Sequence, residues 1–96
     1  MRRRAAKIDR NQPEIVSALR AAGCRVQSLA SCGAGVPDLL VGHGRTLFLL
    51  EVKDGSLVPS ARQLTPEQVL WHQHWKGYPI KVVNSVDEAL LAVGVL

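Results

Sequence analysis

The chain has 96 residues, 47% of them hydrophobic, and its 12 Lys or Arg against 8 Asp or Glu give a net charge of +4. That length leaves room for one modest core, and that apolar content excludes a wholly disordered chain. No uninterrupted apolar run approaches the roughly 18 residues that span a bilayer, and no apolar stretch follows the basic N-terminus as a secretory signal requires.

The expected location is therefore the cytoplasm, where Cys24 and Cys32 are reduced thiols. Their spacing also misses the C-x-x-C pattern of zinc sites. The charge is unevenly spread. Residues 1–10 (MRRRAAKIDR) hold five basic groups and one acid, whereas residues 11–96 hold seven of each sign. A basic arm, expected to be mobile, precedes an electrically balanced single domain over 11–96.

Along the chain, Asn11-Gln-Pro-Glu14 reads as a helix start, with Asn11 as the capping acceptor and Pro13 in the first turn. Ile15, Leu19 and Ala22 follow at helical spacing, and Gly23 ends the helix. Cys24 to Leu29 reads as a strand and Ala30 to Gly35 as a loop of small residues. Pro37 to Val41 is a short apolar strand, turned at Gly42-His43-Gly44 into the strongest strand, Thr46 to Lys53. Alternation puts Leu47, Leu49, Glu51 and Lys53 on one face of that strand and Phe48, Leu50 and Val52 on the other. Thr65-Pro-Glu-Gln68 forms a capping box opening a helix to about Lys76, with Leu64, Gln68, Trp71 and Trp75 on one stripe. On that stripe the two tryptophans are expected in the core, and His72 and His74 flank them in solvent or against phosphate. A short strand at Ile80 to Val83 and a last helix capped by Ser85-x-x-Glu88 complete the chain. The order helix–three strands–helix–strand–helix gives an α/β fold with a small mixed sheet.

Two polar features interrupt apolar strands. Glu51 and Lys53 end the most hydrophobic strand on one face, and Asp38 lies in its hairpin partner. Two carboxylates drawn together at a sheet end repel unless a cation joins them. Carboxylate and carbonyl oxygens suit Mg²⁺, and a neighbouring ammonium can orient a water; these are the parts of metal-assisted phosphodiester hydrolysis.

Gly35-Val-Pro-Asp38, twelve residues, then Glu51-Val-Lys53 resembles the PD-(D/E)xK nuclease motif. With Glu14 on the opening helix and Leu64-Thr-Pro-Glu-Gln68 followed by Trp71-His72, residues 11–90 are similar to the minimal virus-type replication-repair nuclease (VRR-NUC) domain. The resemblance implies a PD-(D/E)xK restriction-endonuclease-like core in which Asp38, Glu51 and the Val52 carbonyl hold the metal. It further implies that Lys53 positions or activates the attacking water, that Glu14 reaches the site as a further ligand or through water, and that Gln68 faces it. Mg²⁺ is the expected ion, with Mn²⁺ able to substitute. Next to such a site, Arg2, Arg3, Arg4, Lys7 and Arg10 are expected to contact DNA phosphates.

The resulting expectation is a metal-dependent, structure-specific DNA endonuclease leaving 5′-phosphates. As a homodimer it presents two related sites suited to a four-way (Holliday) junction. A flap or other branched-DNA nuclease, a catalytically silent DNA-binding module and a sequence-specific restriction-type nuclease are the alternatives. A phage origin follows by resemblance, which puts the protein in a bacterial host's cytoplasm. Neither a membrane nor an organic cofactor is expected.

Overall fold

The computed structural model describes residues 8–96. Arg2, Arg3, Arg4 and Lys7, assigned above to DNA, lie outside the described residues. The elements follow the order expected from caps and periodicity: α1 (Gln12–Ala21), β1 (Arg25–Ser28), β2 (Leu39–His43), β3 (Thr46–Val52), a 3₁₀ turn (Pro59–Arg62), α2 (Pro66–His74), β4 (Ile80–Val83) and α3 (Val86–Ala92). The sheet runs β1-β2-β3-β4, antiparallel across the first two pairs and parallel between β3 and β4. It is the mixed sheet that hairpin-length links and one helical crossover dictate.

The core lies on one face of this sheet. Ile15 and Leu19 from α1 and Ala89 and Val93 from the C-terminal region bury Leu39, Val41, Leu50, Val52 and Val83. The opposite face carries Leu40, Leu47, Leu49, Glu51 and Ile80, as the β2–β3 and β3–β4 registers require. From α2, Gln68 and His72 reach Glu51 on that face.

Four local expectations are corrected. Asn11 does not cap α1 with its side chain. Its backbone is already helical (φ −85°, ψ −4°). Its amide instead donates to the carbonyls of Lys53 (3.0 Å) and Asn84 (3.1 Å), tying the start of α1 to the ends of β3 and β4. The hairpin turn is Gly44-Arg45, both with positive φ (57° and 70°), so Gly42 and His43 belong to β2. Two residues with positive φ match the twist of the flanking strands, which a turn at 42–44 would break. Asp38 sits just before β2 rather than within it, because Pro37 has no N–H for the ladder.

The fourth correction concerns the tryptophans. No residue of α2 is buried, and Trp75, just past its end, is 45% exposed. Trp71 stacks on Trp75 (centroids 5.1 Å, 14°), and Trp75 leans on Tyr78. The stripe inferred from spacing exists, but its far end covers only the margin of the sheet. The capping box at Thr65 is present with both reciprocal bonds.

Candidate active site

Three segments meet at the C-terminal end of β3. The β2–β3 register pairs Leu39 with Leu50, which sets Asp38 beside Glu51. Asp38 Oδ2 accepts the Val52 N–H at 2.7 Å, and the Asp38 carboxyl is near enough to raise the Glu51 carboxyl's affinity for a proton. Glu51 is 1% exposed although it is an acid, and Lys53 just beyond it is also buried.

Gln68 joins the two. Its Oε1 accepts Lys53 Nζ (2.9 Å) and the Thr65 N–H (2.9 Å), while its Nε2 donates to Glu51 Oε2 (3.1 Å). One side chain thus closes the capping box of α2 and spans the cation and the acid of the site. Gly35 makes this approach possible. Its φ is +79°, and a Cβ there would collide with the Glu67 backbone at the start of α2. The glycine before Val-Pro-Asp38 lets the loop touch the helix that carries Gln68.

Electrostatics follow from burial. The Glu51 carboxyl is pushed up to about 9, first by desolvation, then by its hydrogen bond and charge interaction with Asp38, with Lys53 opposing and Asp9 adding to the rise. The His72 imidazole is pushed down, first by burial and then by the Lys53 ammonium. It therefore stays neutral at pH 7.

The structure brings Asp38, Glu51, Lys53 and Gln68 into one cluster, with Val52 buried among them. It does not bring Glu14 there. Glu14 is exposed and lines a separate cavity of about 590 Å³ with Arg10, Asp54, Ser56, Arg62 and Glu88. The resemblance implied Glu14 at the site, but one position off the buried Ile15–Leu19 stripe the side chain is exposed and turns to this cavity. Arg10 lies in the same cavity and helps hold the Asp54 carboxyl low, after the two Ser56 hydrogen bonds that do most of it.

Two further groups join the cluster, one of them His72, expected above in solvent or against phosphate. Asp9, the single acid of the basic arm, is close enough for its charge to act on Glu51, and no sequence pattern marks it. His72 lies one turn after Gln68, and its Nε2 is 3.8 Å from Glu51 Oε1. The i, i+4 spacing from Gln68 was the available signal.

The donor set suits a hard divalent cation. Among the described residues no three His, Cys, Asp or Glu side chains stand as a ready cage. Yet Glu51 Oε1 is a buried acceptor without a hydrogen-bond partner, beside a second carboxylate. Two carboxylates with the remaining positions left to water or phosphate match the way Mg²⁺ and Mn²⁺ are held in phosphoryl-transfer sites.

No family model matches the chain, and the search of curated proteins finds no match. Among solved structures, a protein described as a "VRR_NUC domain" superposes with a TM-score of 0.63 at 29% sequence identity, over 85% of this chain and 90% of that one. In element order and in superposition along most of its length, the chain is similar to that VRR_NUC domain and has a matching mixed α/β, nuclease-like fold.

Proposed function

We propose that the protein is a divalent-metal-dependent endodeoxyribonuclease. The observation that carries this reading is the Glu51–Gln68–Lys53 bridge beside Asp38: a buried acid and a buried ammonium held apart by one amide. A purely structural ion pair would close directly. Asp38 and Glu51 would hold the ion, with the Val52 carbonyl as third donor and Glu14 at most through water, given its place on the neighbouring cavity. When bound, Mg²⁺ or Mn²⁺ polarises the scissile phosphate and acidifies water. Lys53, fixed by Gln68 Oε1, presents its remaining N–H groups to the attacking water or to a phosphoryl oxygen. The water oxygen bonds to phosphorus as the P–O3′ bond breaks, leaving a 5′-phosphate and a 3′-hydroxyl.

The substrate class is branched DNA, and a four-way junction cut by a homodimer is the leading form, with flaps second. A 96-residue domain has little surface for reading sequence, so shape and phosphate contacts dominate. Support for the dimer comes from the poorly covered sheet face. Leu47 (65% exposed), Trp75 (45%) and Tyr78 (65%) surround an apolar groove of about 200 Å³ floored by Leu40, Leu49 and Ile80, and no charged residue lines it. A surface without cations does not suit phosphates, and a groove flanked by an aromatic ledge fits a two-fold copy of itself. Leu47→Arg is expected to convert a dimer to a monomer of 10.4 kDa in light scattering; a wild-type monomer contradicts the dimer.

Labelled duplex, flap, splayed and four-way substrates incubated with Mg²⁺ or Mn²⁺ test the activity. Cleavage of branched forms in preference to linear duplex is expected. Metal binding without any cut favours a silent DNA-binding module.

A further inference from the structure

His72 has no role in the metal site as drawn above, yet its position is specific. It follows Gln68 by one helical turn on α2, so both side chains face Glu51. Trp71 meets the imidazole edge-on (centroids 5.9 Å, 74°). His72 Nε2 and Glu51 Oε1 are both buried, both lack a hydrogen-bond partner, and stand 3.8 Å apart.

That distance is too long for a hydrogen bond. Buried polar atoms are almost always satisfied, so two adjacent unpartnered ones call for a common partner. Two donors each about 2.1 Å from one ion can be at most about 4.2 Å apart, and the observed separation lies within that reach. Asp38 Oδ2 is already occupied by the Val52 N–H, which leaves Glu51 Oε1 and His72 Nε2 as the open pair.

Resting on the nuclease reading above, we propose that His72 Nε2 is a nitrogen ligand of the ion held by Glu51 and Asp38. An imidazole in an otherwise oxygen site shifts its preference away from Mg²⁺, which favours oxygen donors, toward Mn²⁺ and later transition ions. The metal selectivity of this protein then follows from one residue of α2 rather than from the motif carboxylates.

The test uses full-length protein loaded with Mn²⁺ and pulsed electron paramagnetic resonance, in samples grown with ordinary or ¹⁵N-labelled histidine. Directly bound imidazole nitrogen is expected, its signature changing with the label, lost in His72→Leu and kept in His74→Leu. Competition titrations are expected to show the Mn²⁺-over-Mg²⁺ preference falling about tenfold or more in His72→Leu. Bound Mn²⁺ and DNA cleavage in wild type without directly bound histidine nitrogen overturn the ligand while leaving the nuclease. No bound Mn²⁺ and no cleavage overturn both. The wild-type spectrum decides the point even if the variant fails to fold.

Discussion

Glu51 offers a direct way to weigh the cost of the site against the stability of the fold. An ordinary glutamate titrates near 4.5, whereas this one is pushed up to about 9, chiefly by burial and then by Asp38. Between those values the unfolded chain carries Glu51 ionised and the folded chain carries it protonated. The folded state binds the extra proton, so Glu51's contribution to stability is full below about pH 4.5 and declines as pH rises toward 9. At pH 7 the interval from 4.5 spans about 2.5 units at about 1.36 kcal/mol each, an upper bound of about 3.4 kcal/mol. Glu51→Gln removes that burden. The amide oxygen can still accept from Gln68 Nε2, and the amide N–H₂ can donate to Asp38. Metal-free Glu51→Gln is therefore expected to be more stable than wild type at pH 7 by about 1–3 kcal/mol, which raises Tm by about 4–8 °C per kcal/mol in a domain of this size. Thermal and urea denaturation in EDTA from pH 4 to 9 reads the difference. The two proteins coincide at the acid end and diverge as pH rises. Parallel curves, or a variant less stable at pH 8 than wild type, refute the electrostatic reasoning.

Other consequences separate the two jobs of Gln68. Thr65→Ala removes the helix cap and is expected to cost about 1 kcal/mol in denaturation while leaving cleavage nearly intact, because Gln68 keeps its bonds to Lys53 and Glu51. Gln68→Ala keeps the Thr65 Oγ1 cap but loses the reciprocal half of the box and the bridge together, and single-turnover cleavage is expected to fall about 10- to 100-fold. Equal cleavage rates in the two variants contradict the bridge. Gly35→Ala forces a Cβ onto the Glu67 backbone at a positive φ; a loss of about 1–3 kcal/mol by urea titration is expected, with weakened cleavage as α2 is displaced. An unchanged midpoint means that the loop and helix do not touch as described.

Much of this was legible because local rules and tertiary structure agree. The Thr65-Pro-Glu-Gln68 box, the strand at Ile80 to Val83 and the order of elements all follow from capping chemistry and period. Asp38 and Glu51 were legible as a pair because a short hairpin fixes their register. The turn at Gly44-Arg45 and the late start of β2 are local misplacements; the other failures depend on contacts between distant segments. Asn11 has a capping residue's chemistry, but the carbonyls of Lys53 and Asn84 compete for its amide from far along the chain. The Trp71–Trp75 stripe has a core helix's spacing, yet periodicity says nothing of how much sheet is available to cover it. Glu14 could be placed on a helix but not aimed, and the charge of Asp9 reaches Glu51 through a fold that no motif describes.

Asp38, Glu51 and Lys53 are proposed above to form a metal-dependent cutting site. Its most direct test measures cleavage of a labelled four-way junction and a flap with Mn²⁺ or Mg²⁺ by wild type, Asp38→Asn and Lys53→Ala, each shown to be folded by circular dichroism. Wild type is expected to cleave both substrates in a reaction that EDTA abolishes, and neither variant is expected to cleave. Undiminished cutting by a folded Asp38→Asn or Lys53→Ala protein contradicts that proposal.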